Sequence, residues 1–155
     1  MQLLNYKLSE LSIEMRPYVG LLHFRPNQSK DIWKFSYSIP PIVHLPAEDL
    51  FIVSFAMRTQ LQTAGDMDVH PGEEQEFVDC RGCVSGLFRF VEEVSEETRN
   101  KMLKYNATAI LLPYLRAGLT NILAQAGFGC ILPPILNIKE MVDKHEVLIE
   151  TLGSR

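Results

Sequence analysis

The sequence predicts an α+β fold, an antiparallel sheet followed by helices. Three observations predict it. Apolar residues recur with period two over about residues 2–92 and with helical spacing over about 95–153. The residues between the apolar ones in the strand region are polar, which leaves one sheet face wet, and sheets with a wet face are mostly antiparallel. At 155 residues the chain has room for a single domain, whose core needs neither metal nor disulfide to hold it.

The first strand holds Leu4, Tyr6 and Leu8 in one phase and Leu11, Ile13 and Met15 in the other. The phase switches between Ser9 and Glu10, where a bulge would return both sets to one face. Pro17 and Gly20 close this strand, and Phe24 to Asp31 reads as a polar loop. Trp33, Phe35, Tyr37 and Ile39 alternate with Lys34, Ser36 and Ser38 in a second strand that Pro40-Pro41 stops. Phe51, Val53, Phe55 and Met57 mark a third. Val78, Cys80, Val84, Phe88 and Phe90 share one face of a fourth, with Asp79, Arg81 and Arg89 opposite.

Ser95 then caps a helix whose first turn carries Glu96 and Glu97, at the positive end of its dipole. The helical pattern weakens near Tyr105-Asn106 and resumes as a stripe of Leu111, Leu115, Leu119, Ile122 and Ala126. Pro113 predicts a kink or a restart inside that stripe, and Gly127 suits a left-handed C-terminal cap. After Pro133-Pro134, Asn137 and Glu140 open a final helix with Ile138, Met141, Val142, Leu148, Ile149 and Leu152 on one face, ended by Gly153.

The chemistry expected from these residues is sparse. A content of 46% hydrophobic and 22% charged residues excludes disorder. The net charge is −4 and no Lys/Arg cluster is dense enough to hold a phosphate backbone, so no nucleic-acid partner is expected. No apolar run approaches the roughly 20 residues of a membrane span. The segment Met1–Tyr6 lacks the order of a signal peptide, and a cytoplasmic location follows as the expectation. Three cysteines, an odd number, fit a reducing compartment.

Cys80-Arg81-Gly82-Cys83 has the spacing of a redox or zinc pair, but a strand points positions three apart to opposite faces. Cys130 and His70 are the only further ligands worth weighing, and they match no common spacing. The cysteines therefore read as structural, with no metal and no cofactor. No nucleophile elbow, phosphate loop or metalloprotease helix is present. His23, His44, His70 and His145 are scattered, so the chain reads as a non-enzyme, and only a pocket joining His44 or His70 to a carboxylate would reverse that. Asp66, Asp68, Glu73, Glu74, Glu76 and Asp79 form an acidic run without Lys or Arg. It is either a solvated hairpin tip or a docking surface for a basic partner.

The segment Ile110-Leu111-Leu112-Pro113-Tyr114-Leu115-Arg116-Ala117-Gly118-Leu119-Thr120-Asn121-Ile122-Leu123, followed by Gly127-Phe128 and Leu132-Pro133-Pro134-Ile135-Leu136-Asn137-Ile138, resembles the SecB family of protein-export chaperones. The match runs over about residues 107–138. Pro113-Tyr114-x-Arg116 and Thr120-Asn121-Ile122-Leu123 carry it, with a weaker echo in Cys83–Phe90. Ile138 stands where the family has an aromatic residue, and the acidic tail of many members is absent.

The resemblance implies a four-stranded antiparallel sheet with two main helices on one face. It implies an ATP-independent holdase, a homotetramer built as a dimer of dimers, that keeps unfolded or precursor polypeptides competent for Sec export and contacts the translocation ATPase SecA. Some SecB-like proteins instead guard one aggregation-prone antitoxin, which is the alternative. On this reading Phe24, Trp33, Phe128, Leu132 and Ile135 are candidate walls of a client groove. Leu111, Leu115, Leu119 and Ile122 are assigned to core and subunit interface, and Asp66, Asp68, Glu73, Glu74 and Glu76 to partner docking.

Overall fold

The structure, a computed structural model, describes residues 1–15, 31–63 and 75–152. Among them one sheet is built from β1 (Gln2–Met15), β2 (Asp31–Ser38), β3 (Ile42–Leu45), β4 (Leu50–Thr63), β5 (Gln75–Arg89) and β6 (Ile149–Thr151). Its order is β1-β5-β4-β3-β6, and β2 also pairs with β4. The four strands expected from the alternation are all present and mutually antiparallel; two short strands join them. β2 and β3 share one edge of β4, along Ala56–Thr63 and Leu50–Ile52 respectively, because Pro40-Pro41 interrupts the run between them.

β1 carries two bulges, between Leu3 and Asn5 and between Leu8 and Glu10. The second is where the apolar phase switches, and it places Leu8 opposite Val84 and Leu11 opposite Gly82 on one face. The first leaves Leu3, not Leu4, opposite Phe88, and Leu4 is 40% exposed.

α1 runs unbroken over Glu96–Gln125, 30 residues, with a π-helical turn at Met102–Ala107. Ser95 caps it by accepting from the Thr98 amide. The pattern that weakens at Tyr105-Asn106 is thus a widened turn, not a break. Its cause lies in the buried stripe Leu103, Ala107, Leu111, Leu115, Leu119 and Leu123, spaced by four. Four residues of α-helix turn through about 400°, so such a stripe drifts by about 40° per step, and one wider turn resets it toward the sheet. Pro113 neither stops nor restarts the helix. Ala109, whose carbonyl loses its helical donor to the proline, is itself exposed to water. By length and composition α1 is apolar enough to cross a membrane, but its leucines pack on the sheet.

α2 (Ile138–Asp143) opens as expected, with Asn137 accepting from the Glu140 amide. It ends far short of Gly153. Residues 149–151 are instead β6, parallel to β3, with Ile42 N–H donating to Leu148 O and Leu152 N–H to His44 O. The spacing of Leu148, Ile149 and Leu152 fits a helix, but β3 offers an unpaired edge that a β-branched segment satisfies better.

The helices cover one face of the sheet, where Phe51, Val53, Phe55, Met57, Val78, Cys80, Val84 and Phe88 meet the α1 leucines. Gly82 and Gly86 on β5 allow this approach. A Cβ on Gly82 would lie 2.9 Å from Leu115 Cδ1, and one on Gly86 2.7 Å from Leu111 Cδ2. Glycine in a strand often marks such a contact.

Candidate functional site

β2 and the end of α1 build the first part of the candidate site. The β2 register places Trp33, Phe35 and Tyr37 opposite Leu61, Thr59 and Met57, on the helix side. Among the described residues β2 pairs with β4 alone, so its outer main-chain edge has no strand partner. α1 ends in a Schellman motif: Phe128 N–H donates to Leu123 O at 3.0 Å and Gly127 N–H to Ala124 O at 3.1 Å, with Gly127 at φ 94°. The motif brings Phe128 edge-on to Trp33, with ring centroids 5.9 Å apart. Phe128 is only 6% exposed, so it backs Trp33 from the core and is not a wet wall of a groove. Tyr37 in turn lies 5.3 Å from the His145 ring, whose Nδ1 is 2.8 Å from Met141 O.

The connection from Gly127 to Asn137 is extended but held at two points. Arg116 Nη2 donates to Pro133 O at 2.9 Å, and Thr120 Oγ1 donates to Ile131 O at 3.1 Å. These bonds use the Arg and Thr of the motif singled out in the sequence. They fix which side chains turn inward: Pro133 is buried, and Ile131 and Leu136 are half-buried. Leu132 and Ile135 face solvent at 64% and 87% exposure. Burying a side chain of this size contributes about 1.5–3 kcal/mol. The fold forgoes that gain twice on one tethered segment.

The other sequence candidates fall elsewhere. Leu111, Leu115 and Leu119 are fully buried within the single chain. They pack β5 across its glycines and are core, not subunit interface; Ile122 is half-buried at the margin of the same cluster. Phe24, Asp66, Asp68, Glu73 and Glu74 lie outside the described residues, as do His23 and His70. Glu76 is placed by its backbone, opposite Gln62.

Asp79 does not belong to an acidic loop. It is a strand residue, 8% exposed, clamped by two guanidinium groups. Arg58 grips it with Nε at 2.7 Å and Nη2 at 2.9 Å, and Arg81 reaches Oδ2 with Nη2 at 2.6 Å. The hydrogen bond from Arg58 leads in holding the Asp79 carboxyl down at about 2, against the opposing effect of burial. A depressed acid stabilises the fold above its unfolded value, near 4, and loses that contribution as pH falls toward 2. Urea midpoints should therefore drop between pH 5 and pH 2.5 by an amount worth about 2 kcal/mol, and Asp79→Asn should remove most of that pH dependence. An unchanged pH profile in the variant would contradict the assignment.

Cys80 and Cys83 point to opposite faces. Cys80 sits on the helix side, its thiol pushed up to about 11 by burial and then by Asp79; Cys83 is half-buried on the other face and Cys130 is exposed. Among the described residues no three His, Cys, Asp or Glu side chains are grouped to hold a metal ion. His44 stacks flat on Phe51 at 4.4 Å, and its Nε2 is 3.8 Å from Asp49 Oδ1, beyond hydrogen-bond range.

One pair escaped the sequence reading. Tyr6, 44% exposed, stacks on Tyr114 with centroids 3.9 Å apart. Both residues were visible, in a strand phase and in the Pro-Tyr-x-Arg motif, but nothing in the sequence joins them.

No protein-family model and no curated protein sequence matches the chain. A solved structure does. The SecB-like chaperone Rv1957 of Mycobacterium tuberculosis, determined in complex with a ChAD peptide from the HigA1 antitoxin Rv1956, superposes with a TM-score of 0.61 at 14% sequence identity. The match covers 87% of this chain and 90% of that one. At this identity the likeness is one of fold, and the chain has the α+β fold of that SecB-like chaperone.

Proposed function

Taking that fold as premise, we propose that the protein is an ATP-independent holdase. It binds unfolded or precursor polypeptides through exposed apolar side chains and acts without cofactor or catalysis. The observation that supports this most is the tethered connection that presents Leu132 and Ile135 to solvent on a fold in which, among the described residues, the outer edge of β2 has no strand partner. Apolar side chains grip many sequences with little directional demand, and an open strand edge adds main-chain hydrogen bonds to any extended segment.

In this reading the chain works in the cytoplasm as a homotetramer, a dimer of dimers. It keeps clients competent for Sec export and hands them to SecA. A second reading has a specific observation in its favour: the solved neighbour holds an antitoxin peptide. Under it this chain guards one aggregation-prone partner.

The two readings separate in one assay. Purified protein is mixed with several unrelated refolding clients without nucleotide, and aggregation is followed by light scattering. Suppression of most of them supports the general holdase; suppression of none sinks it and leaves the dedicated guardian. Static scattering of the same sample is expected to report four subunits, and a stable monomer at micromolar concentration would remove the tetramer.

A further inference from the structure

Beyond α2 the chain forms a strap along the sheet edge to which β2 and β3 both belong. The His145 ring lies 5.3 Å from that of Tyr37, near the end of β2. Further on, Ile149 stands opposite Ile42 and Thr151 opposite His44, in parallel register on the outer side of β3. Residues 145–151 thus follow residues 37–44 in the same direction, past the interruption at Pro40-Pro41. Because β2 and β3 pair with one edge of β4, the strap lies in the path of any extended segment that runs along β2 toward the prolines.

The root of the strap and its end are held differently. Val147 is 5% exposed and belongs to the core cluster. Beyond it Leu148 and Leu152 are 52% and 55% exposed, Glu150 and Thr151 face water, and Ile149 alone is half-buried against the core. β6 is three residues long and is held chiefly by its backbone, with Ile42 N–H donating to Leu148 O at 2.8 Å and Leu152 N–H to His44 O at 3.1 Å. Main-chain bonds of this kind accept almost any extended sequence. A segment with so few buried side chains opens well below the free energy of global unfolding.

We propose that β6 is a built-in stand-in for a client strand, an autoinhibitory contact that leaves β3 when an extended polypeptide takes its place. The inference rests on the holdase reading and names the occupant of the β3 edge: a segment carrying one aliphatic side chain where Ile149 now packs. Val147 stays buried and serves as the hinge. The exchange is conservative, since a client carbonyl and amide replace those of Leu148 and Leu152 at Ile42 and His44, and no main-chain group of β3 loses its partner. With the strap gone the client pairs with the four residues of β3 in addition to β2. The tethered strap competes at high local concentration, so short or weakly paired segments are refused.

The test locks the strap. Val43 and Glu150 are register partners, and Val43→Cys with Glu150→Cys, in a Cys130→Ser background, joins them by a disulfide on oxidation and frees them on reduction. Mass spectrometry establishes the cross-link, and a thermal melt establishes that both forms are folded. Aggregation suppression is then measured on a cysteine-free refolding client with the oxidised and the reduced form of this one protein. The oxidised form is expected to need at least about threefold more chaperone for half-suppression. Leu152→Pro, which deletes the amide bonded to His44, should shift the parent the other way by about threefold. Hydrogen exchange on the parent with client bound should show the β6 amides losing protection while the Ile42 amide keeps its own. Equal holding by the oxidised and reduced forms, or β6 amides that stay protected under a bound client, overturns the proposal and leaves the holdase standing. Absence of holding by the parent and by every variant overturns both.

Discussion

Leu115→Ala is expected to lower the unfolding free energy by about 3–4 kcal/mol. The side chain is fully buried and lies directly over Gly82, where β5 has no side chain to relax into the space. Leu→Ala changes at such sites cost about 2–5 kcal/mol, and the cost rises with the cavity left behind. A second substitution makes the expectation specific. Gly82→Ala alone overpacks the same point, with its Cβ 2.9 Å from Leu115 Cδ1 and 3.0 Å from Leu119 Cδ2, and should destabilise by about 1–2 kcal/mol. In the double variant the new methyl group enters the space Leu115 vacated, so the two losses should fall short of additive by about 1 kcal/mol or more. Urea unfolding of the four proteins measures this, and strict additivity would show that helix and strand do not meet as described.

Replacing Leu132 and Ile135 together by Asp is expected to abolish most client holding and leave the fold intact. Both side chains are largely exposed, so stability should move by no more than about 0.5 kcal/mol. If each contributes even the lower figure of about 1.5 kcal/mol on burial against a client, their loss weakens holding by about a hundredfold. Aggregation suppression as a function of chaperone concentration measures the shift. Trp33 is the chain's single tryptophan, and it packs on Phe128 at the start of the same connection. Its fluorescence should respond to clients in the parent and not in the double variant. A variant that suppresses aggregation as well as the parent would move the binding surface elsewhere.

Much of this architecture can be read in the residues themselves. The bulge near Ser9 follows from a change of apolar phase, and the Schellman motif follows from Gly127 after the last periodic leucine. What cannot be read has physical causes. The first β1 bulge hides because Leu3 and Leu4 are equally apolar, so either could face the core. Residues 149–151 pair with β3 because an edge is open there, a tertiary fact with no local trace. The leucine stripe of α1 suits a core or a subunit interface equally well, and only the close approach at Gly82 and Gly86 decides for core. Leu132 and Ile135 are candidate wall residues on the resemblance alone. That they face water rests on two side-chain bonds to backbone carbonyls, from Arg116 and Thr120, and no hydropathy pattern encodes those.

The interruption at Pro40-Pro41 sets a length scale. The described part of β2 has eight residues, which at about 3.4 Å each offer an edge of about 27 Å before the prolines turn the backbone aside. Among the described residues, a polypeptide captured along that edge would pair with β2 over eight residues. So short a grip lets go quickly by itself. Durable retention then depends on avidity, in which a second window engages the same polypeptide before the first releases it and the local concentration of the tethered segment multiplies two brief contacts into a long one.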